Sequence, residues 1–240
     1  MGNRTVIIDA FMWSYEYDAV KIRLATLGNT VDKHVAVQAT NTFRGKPREV
    51  RKLDLPNVID VIVTIPEGLD PWESEMWLRD SVLIEANKLY PDAIYIVSDG
   101  DEIPHPAAIL AAGGKPTTLL TDYRNFYADW RGVLKWQPDH QPVIGRIEDY
   151  EDVGGASNAR WYAQWPKSNA IGWHLSSLGG DEMIREKLET FAHSEFDDEA
   201  IKSIVPEARN NRKDFLNRFD LEYTEDIPKG VPPHLLGGAF

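Results

Sequence analysis

Three carboxylates, Asp99, Asp101 and Glu102, follow directly on a run of apolar residues. Residues 94–97 read Ile-Tyr-Ile-Val, which is typical of a buried strand, and Pro104 prevents the strand from continuing regularly. Carboxylates at the carboxyl end of a strand lie where open α/β sheets bind ligands. Clustered carboxylates also repel one another unless a cation lies between them. A divalent ion such as Mg²⁺ or Mn²⁺, with phosphate as co-ligand, is the natural partner; an acidic turn between strand and helix is the alternative.

A basic segment is the second charged feature. It places five cations within nine residues: Arg44, Lys46, Arg48, Arg51 and Lys52. Contact with the phosphates of a ligand, through Arg44 and Lys46 in particular, is one interpretation, and a solvated loop is the other. The net charge of -12 argues against a broad nucleic-acid surface, although this local cluster leaves room for one.

The elements that position these residues alternate regularly through the first hundred residues. Apolar patterns predict strands at 5–11, 33–38, 58–65 and 94–97, and amphipathic helices at 16–27, ended by Gly28, and at 71–90. This alternation predicts an α/β fold with a mostly parallel, doubly wound sheet flanked by helices.

The second half of the sequence predicts a smaller, mixed arrangement. Short strands are expected at 117–127, 143–147, 159–164 and 171–175, helices at 181–192 and 198–205, and an extended tail rich in Pro and Gly from residue 228. No linker separates the halves, which predicts a single domain over residues 1–240.

The composition indicates a globular protein of the cytoplasm. At 240 residues, the chain is long enough to bury a full core. The absence of cysteine rules out disulfides and suits a reducing compartment. Neither a signal peptide nor an apolar run of membrane-spanning length is present, so we expect no membrane span. The oligomeric state is not predicted.

Seven short motifs occur in order along the chain. They are DAFM at 9–12 with EYD at 16–18 and IRL at 22–24; TFRGKP at 42–47; the segment from 72 to 80; SDGDEIP at 98–104; GWHLS at 172–176; FAHSEF at 191–196; and VPPHL at 231–235. Together they resemble glycosyltransferase family 17. Each motif is weak alone, but seven in register are specific.

The resemblance implies a GT-A type glycosyltransferase fold and inverting transfer of a sugar from a nucleotide diphosphate donor to a hydroxyl. The donor would be a UDP-sugar, UDP-N-acetylglucosamine by family analogy, bound with Mn²⁺ or Mg²⁺ by residues 1–104. Residues 105–240 would form the acceptor-binding half and the tail. Asp101 is expected as the first metal ligand, and Asp99 would reach the metal or the ribose. Glu102 would orient either carboxylate or cap the following turn. His193 and His174 compete as a third ligand, with His193 slightly preferred.

Further site residues are expected from the same motifs. The general base that inversion requires would be Asp181 or Glu182, after Gly179-Gly180 at a helix start, with Glu195 in reserve; capping of that helix is the alternative. Trp173, Trp161 and Trp165 are candidates to stack on the acceptor or simply to pack. The expected donor contacts are Arg79, Asp80, Asp9 and Asp99, together with Arg44 and Lys46. For Arg23, contact with the diphosphate and an intrahelical ion pair are the alternatives, and the ion pair is preferred.

The leading hypothesis is therefore a metal-dependent transferase with a saccharide or lipid-linked glycan as acceptor. A hydroxymethylated base in viral DNA is an alternative acceptor. Metal-dependent phosphate hydrolysis is a second class, because an apolar strand followed by DxD also occurs in phosphohydrolases. A non-catalytic sugar-nucleotide or glycan-binding relative is a third class.

Overall fold

The structure, a computed structural model, describes residues 5–134 and 140–239. The first half forms, in chain order, β1 (Ile7–Met12), α1 (Tyr17–Leu27), β2 (Lys33–Ala39), β3 (Val58–Val63), α2 (Pro71–Leu89), β4 (Ile94–Asp99) and β5 (Glu102–Ile103). Every strand and helix predicted before residue 100 is confirmed. Helix α2 begins with Asp70 and Glu73 in reciprocal capping bonds and Pro71 in its first turn, which is why this long helix starts sharply.

The second half consists of shorter elements. They are α3 (Pro106–Ala112), β6 (Thr117–Thr118), β7 (Thr121–Tyr123), β8 (Trp130–Gly132), β9 (Val143–Gly145), α4 (Ile147–Asp152), α5 (Ala156–Trp161), β10 (Gly172–His174), α6 (Asp181–Thr190), the 3₁₀ turn Ser194–Phe196, α7 (Glu199–Asn210), β11 (Leu221–Tyr223) and the 3₁₀ turn Pro233–Leu235. The helices that begin at Asp181 and near Asp198 and the strand around Trp173 confirm their predictions.

One predicted strand, at 159–164, was wrong, because the first three residues of this segment are the end of helix α5 and the other three are irregular. Contacts with helix α2 form the first turn of α5: the backbone N–H of Ser157 donates to Asp80 Oδ1 at 2.8 Å, and Ser157 Oγ donates to the Met76 carbonyl at 2.8 Å. Both partners are distant in sequence, so no local pattern announces the helix.

The central sheet is mostly parallel. Its six strands in the described residues run in the order β3-β2-β1-β4-β9-β6. Strands β3, β2, β1 and β4 pair in parallel, whereas β9 pairs antiparallel with both β4 and β6. The protein is thus a mixed α/β structure with a largely parallel central sheet. Met12, the last residue of β1, lies opposite Asp99, the last residue of β4. The segments that leave these two strands therefore meet at one edge of the sheet.

The two faces of β1 pack against different helices. Ile8 and Ala10 belong to the core that includes Val82 of α2. Phe11 points to the other face and packs with Val20 of α1. Because side chains alternate along a strand, Asp9 lies on the α1 face with Phe11, and this placement decides its role below.

The second half adds a small mixed sheet beside residues 99–102, the acidic turn that carries Asp99, Asp101 and Glu102. Strand β10 pairs with β5 and β7, so that His174 lies opposite Glu102 on one side and opposite Tyr123 on the other. The tail packs on the body as extended chain, as predicted: Leu235 is buried and its carbonyl accepts from the Ala128 N–H at 3.0 Å. The division into a donor half and an acceptor half stays a prediction. Within the described residues, no helix has the length and apolar character needed to cross a bilayer.

Candidate active site

A cavity of about 280 Å³ lies at the carboxyl ends of β1 and β4. It receives side chains from both halves of the chain: Trp13, Glu16 and Arg48, Trp72 and Glu75 of α2, Asp99 and Asp101, Arg160 and Trp161 of α5, His174 of β10, and Lys187 of α6. This is the edge at which open α/β sheets bind their ligands. Asp99 and Asp101, the two aspartates of the DxD motif at residues 99–101, both line the cavity.

Gly100 allows the acidic turn to pass close to the end of β1. A Cβ at this position would stand 3.1 Å from Trp13 Cβ and 3.2 Å from the Met12 carbonyl oxygen, tighter than ordinary packing allows. The glycine between the two aspartates therefore lets β4 and the segment after β1 share one wall of the cavity.

Arg23 of α1 holds the acidic turn in place through hydrogen bonds to its backbone. Its guanidinium is fully buried, forms an ion pair with Asp9, and donates to Ser98 Oγ at 2.7 Å. The same group donates to the carbonyl oxygens of Asp99 and Glu102. The expected intrahelical ion pair of Arg23 was therefore wrong: the arginine joins strand β1 to the turn.

Asp99 and Glu102 are held by two arginines. Arg160 makes a bidentate pair with Glu102, at 2.5 and 2.6 Å, and its Nη2 also lies 3.2 Å from Asp99 Oδ2. Arg79 Nη2 lies 3.2 Å from Asp99 Oδ1 and 2.7 Å from Glu75 Oε1. Burial alone would raise the pKa of Asp99, but Arg160 and Arg79 hold it below its ordinary value. Asp99 is thus ionised and fixed in place.

Asp101 has two other partners, a lysine and a histidine. Lys187 Nζ lies 3.2 Å and His174 Nε2 lies 3.5 Å from Asp101 Oδ2. Burial opposes ionisation, but Lys187 and His174 hold the pKa of Asp101 far below its usual range. The His174 ring is oriented by Tyr123, with the ring centroids 4.5 Å apart.

The acids of the DxD motif, Asp99 and Asp101, are candidate ligands for a divalent ion. Within residues 5–134 and 140–239, no three histidine or acidic side chains come together in a group that could hold a metal by themselves. Mg²⁺ in phosphate-transfer sites commonly takes only one or two carboxylates and completes its shell with substrate phosphate and water. Asp99 and Asp101, ionised and opening into one cavity, fit that kind of site.

The structure separates the two histidines proposed as third ligand. His174 contacts Asp101, as described. His193 also lines the cavity, but its Nδ1 lies 2.6 Å from Glu195 Oε1 and its ring meets Trp72 edge-on at 4.4 Å. In the described part of the chain, His193 makes no ion pair with either aspartate, so the preference for His193 is not supported.

The three acids expected as general base lie outside the cavity wall. Asp181 begins α6 and pairs with Arg209 of α7, while Glu182 is exposed. Because a helix rises about 1.5 Å per residue, Asp181 lies roughly 9 Å along α6 from Lys187, which does line the cavity. Glu195 is half-exposed and pairs with His193. None of the three lines the cavity, so this placement does not support their role as base, which stays a prediction.

Of the three tryptophans expected to stack on the acceptor, one lines the cavity and two pack in the core. Trp161 lines the cavity beside Trp72, with a centroid distance of 6.3 Å. Trp173 is buried in the core, because it precedes His174 on strand β10 and so points to the opposite face. Trp165 packs against Tyr150 at 5.4 Å, in the core of the α2 face. Acceptor stacking therefore stays a prediction for Trp161 and is not supported for the other two.

Four expected donor contacts are placed elsewhere. Asp9 is fully buried, bonded to Arg23 and to His34 at 2.8 Å. Asp80 accepts from the first turn of α5. From the basic segment, Arg44 pairs with Asp197 at 2.6 Å and Lys46 is exposed. None of these four side chains lines the cavity, and neither does Arg79, which is buried beside Glu75 and Asp99, so this placement does not support direct donor contacts for these five residues.

Sequence reasoning missed Arg160, Lys187, Glu16 and the role of Arg48. Arg160 was hidden in a segment predicted as a strand. Lys187 sits in a helix whose charges look solvated, and Glu16 stood unremarked within the EYD motif. Arg48 was noticed only as a member of the basic segment. Its guanidinium makes no hydrogen bond or ion pair within the described residues and lines the cavity. Burial lowers the pKa of Arg48.

Comparison with known proteins gives the class and then the family. A sheet of this kind with an acidic cavity at its edge is typical of nucleotide-dependent α/β enzymes. The model of glycosyltransferase family 17 matches residues 2–128, more than half of the chain. The chain therefore belongs to glycosyltransferase family 17, and this membership makes it a glycosyltransferase. The matched segment contains Asp99, Asp101 and Glu16.

Two curated relatives share this segment. A β-1,4-mannosyl-glycoprotein 4-β-N-acetylglucosaminyltransferase of Homo sapiens is 26% identical over 121 residues, covering 43% of this chain and 23% of that protein. The protein of the same name from Rattus norvegicus is also 26% identical over 121 residues, with 22% of its length covered. The chain thus spans about a quarter of the length of the curated relatives that it matches.

Two solved structures resemble the fold more loosely. The crystal structure of Rv0371c from Mycobacterium tuberculosis H37Rv has a TM-score of 0.41 at 12% identity, covering 78% of this chain and all of that one. A nucleotidyl transferase from Methanothermobacter has a TM-score of 0.40 at 11% identity, covering 84% and 97%. Similarity at this level carries no conclusion about function.

Proposed function

We propose that this protein transfers N-acetylglucosamine from UDP-N-acetylglucosamine to a hydroxyl of a saccharide, with inversion, and that its fold is of the GT-A type. The observation that carries the proposal is the cavity, because both aspartates of the DxD motif line it together with lysine and arginine side chains. Family membership supplies the reaction class, and the names of the curated relatives suggest the donor sugar and a mannose-containing glycan as acceptor.

Breaking the bond between the sugar and the diphosphate leaves negative charge on the phosphate oxygens, and catalysis requires that this charge be stabilised. Asp99 and Asp101 would hold a divalent ion together with the donor. When bound, the ion neutralises the diphosphate. The cations of the chain add to this: Lys187 and Arg48 line the cavity, while Arg160 and Arg79 keep Asp99 ionised.

The acceptor wall would be aromatic. Trp161 and Trp72 both line the cavity, and rings of this size bind the apolar face of a sugar or a base by stacking. Trp161 Nε1 is buried without a hydrogen-bond partner within the described residues, so it has a donor to offer to a ligand hydroxyl. The net charge of -12 and the family match disfavour DNA as acceptor, and neither favours phosphate hydrolysis.

The test is a panel of sugar nucleotides incubated with the purified protein and Mn²⁺, with and without EDTA, with release of the nucleotide measured. A mannose-containing core N-glycan serves as acceptor, and water replaces it in parallel reactions. We expect free UDP from UDP-N-acetylglucosamine, at least tenfold less with EDTA, and pyrophosphate from none.

Asp101→Asn is the informative variant, because it removes the charge but keeps the shape of the side chain. We expect UDP release to fall by roughly 10²-fold or more, in line with the loss of a charged group at the transition state. Asp152→Asn, at an exposed acid of α4, is the matched control and should leave the rate unchanged. Equal rates for Asp101→Asn and the wild type would defeat the proposal.

A further inference from the structure

The proposed reaction requires a general base, and the carboxylates that line the cavity are the candidates. Inverting transfer requires a base that takes the proton of the acceptor hydroxyl, and the acids expected for this step lie outside the cavity. Four carboxylates line the cavity in the described residues: Glu16, Glu75, Asp99 and Asp101. Three of them form ion pairs with cations of the protein. Glu75 pairs with Arg79 at 2.7 Å, Asp99 with two arginines, and Asp101 with Lys187 and His174.

Glu16 differs from these three in its partners. Its Oε2 accepts from the backbone N–H groups of Ser14, at 2.9 Å, and Tyr15, at 3.1 Å. Within residues 5–134 and 140–239, no cation lies within ion-pair distance of it. The carboxylate is therefore oriented by neutral donors and stays available to accept a proton.

The position of Glu16 is rigid for a structural reason. It is the residue before α1, immediately after the segment that leaves β1, and both elements are packed against the core. The two backbone N–H groups belong to that same segment. The carboxylate thus stands on the frame of the sheet rather than on a loose loop, as a base must to meet an incoming hydroxyl.

The charges around Glu16 come from three neighbouring segments. Burial raises its pKa, Asp101 raises it further, and Lys187 opposes the rise, with a net pKa above the ordinary 4.5. Arg48, from the basic segment, also interacts with Glu16. Burial and Glu16 itself keep the Tyr15 phenol protonated, with its pKa well above 10.0.

We infer that Glu16 is the general base, which accepts the proton of the acceptor hydroxyl while that oxygen bonds to the anomeric carbon of the donor. The inference rests on the proposed function. A lone pair of the hydroxyl oxygen forms the new C–O bond, the proton passes to the Glu16 carboxylate and leaves the O–H electron pair on the oxygen, and the bond from the anomeric carbon to the phosphate oxygen breaks. Its electron pair leaves with UDP, so charge and atoms balance.

Glu16→Gln tests the inference, because an amide oxygen still accepts from the Ser14 and Tyr15 N–H groups but is not a base. With UDP-N-acetylglucosamine and the N-glycan core, we expect kcat/KM to fall by roughly 10²- to 10⁴-fold. The thermal shift produced by UDP with Mn²⁺ should match the wild type. Glu182→Gln, on the exposed surface of α6, is the matched control and should keep full activity.

The pH profile separates a base from a merely structural residue. Glu16 must be ionised to accept a proton, so kcat/KM of the wild type should decline as the pH falls through the pKa of this carboxylate. The residual activity of Glu16→Gln should lack that decline. Glu16→Asp retains a carboxylate one methylene shorter, and we expect intermediate activity with the decline preserved.

The outcomes distinguish the inference from the proposed function. If the wild type releases UDP and Glu16→Gln keeps more than about a third of that rate, the base is another group and the inference alone fails. If Glu16→Gln loses the UDP-induced thermal shift, Glu16 binds the donor, which also overturns the inference. If the wild type turns over none of the donors, the proposed function fails and the inference falls with it.

Discussion

The bidentate contact between Arg160 and Glu102 offers a test that needs no substrate. Glu102 is fully buried, the side chain of Arg160 is 5% exposed, and the pair joins α5 to the acidic turn. Arg160→Met removes the guanidinium but keeps most of the length of the side chain. Glu102 is then a buried carboxylate that retains the N–H of Asp99 and the His174 ring, 3.9 Å away, but has lost its arginine.

The expected cost follows from burial. Removing one member of a buried ion pair typically destabilises a protein by about 3–5 kcal/mol, because the remaining charge cannot return to water. For a chain of this size, each kcal/mol lowers the melting temperature by roughly 2–4 °C, so the shift should be about 6–20 °C. The double variant Arg160→Met with Glu102→Leu removes both charges and should lose clearly less than Arg160→Met alone.

The assay is urea unfolding followed by circular dichroism, with calorimetric melting as a second measurement. Arg131→Met is the matched control, because Arg131 also contacts a glutamate, Glu222, through two nitrogens, but both side chains are 44% exposed. An exposed pair of this kind contributes about 0–1 kcal/mol. A loss below about 1 kcal/mol for Arg160→Met, or equal losses for the two variants, would refute the argument from burial.

Two further predictions concern acid stability and the aromatic wall. Burial alone would raise the pKa of Asp9, but Arg23 and His34 hold it well below its ordinary 3.8. The stability this group contributes is therefore complete above pH 3.8 and is lost as the pH falls further. Asp9→Asn should cost about 3–5 kcal/mol at pH 7 in urea unfolding and flatten the stability curve below pH 3.8, and an unchanged curve would contradict the pairing. Trp161→Ala should weaken binding of UDP-N-acetylglucosamine or of the glycan roughly 10-fold or more in calorimetric titration. Trp165→Ala should cost roughly 2 kcal/mol of stability and leave that binding unchanged, and the reverse pattern would reverse their assigned roles.

The first half of the fold was predictable because its signals are local. Strands such as β1 and β4 are apolar runs, and α2 carries its own cap at Asp70 and a proline in its first turn. Helix α5 was missed because its first turn depends on Asp80 and Met76 of α2, which no short window of sequence contains.

The candidate site was predictable only in its acidic half. Asp99 and Asp101 are two residues apart at the end of strand β4, so chain geometry alone brings them to the cavity. Their cations come from far away: Arg160 is 61 residues from Asp99, and Lys187 is 86 residues from Asp101. The acids first expected to act as base had a suitable local setting at a helix start, and the packing of α6 placed that end away from the cavity.

By itself, the sequence determined the strand-and-helix alternation, the acidic turn and the family, because each depends on residues close together in the chain. The tertiary structure decided which charges meet: Arg23 and Asp9 form a buried ion pair, Asp101 faces Lys187 and His174, and Glu16 has no ion-pair partner among the residues that the structure describes. The physical reason is that an ion pair depends on distance in space and on burial, and neither is encoded in spacing along the chain.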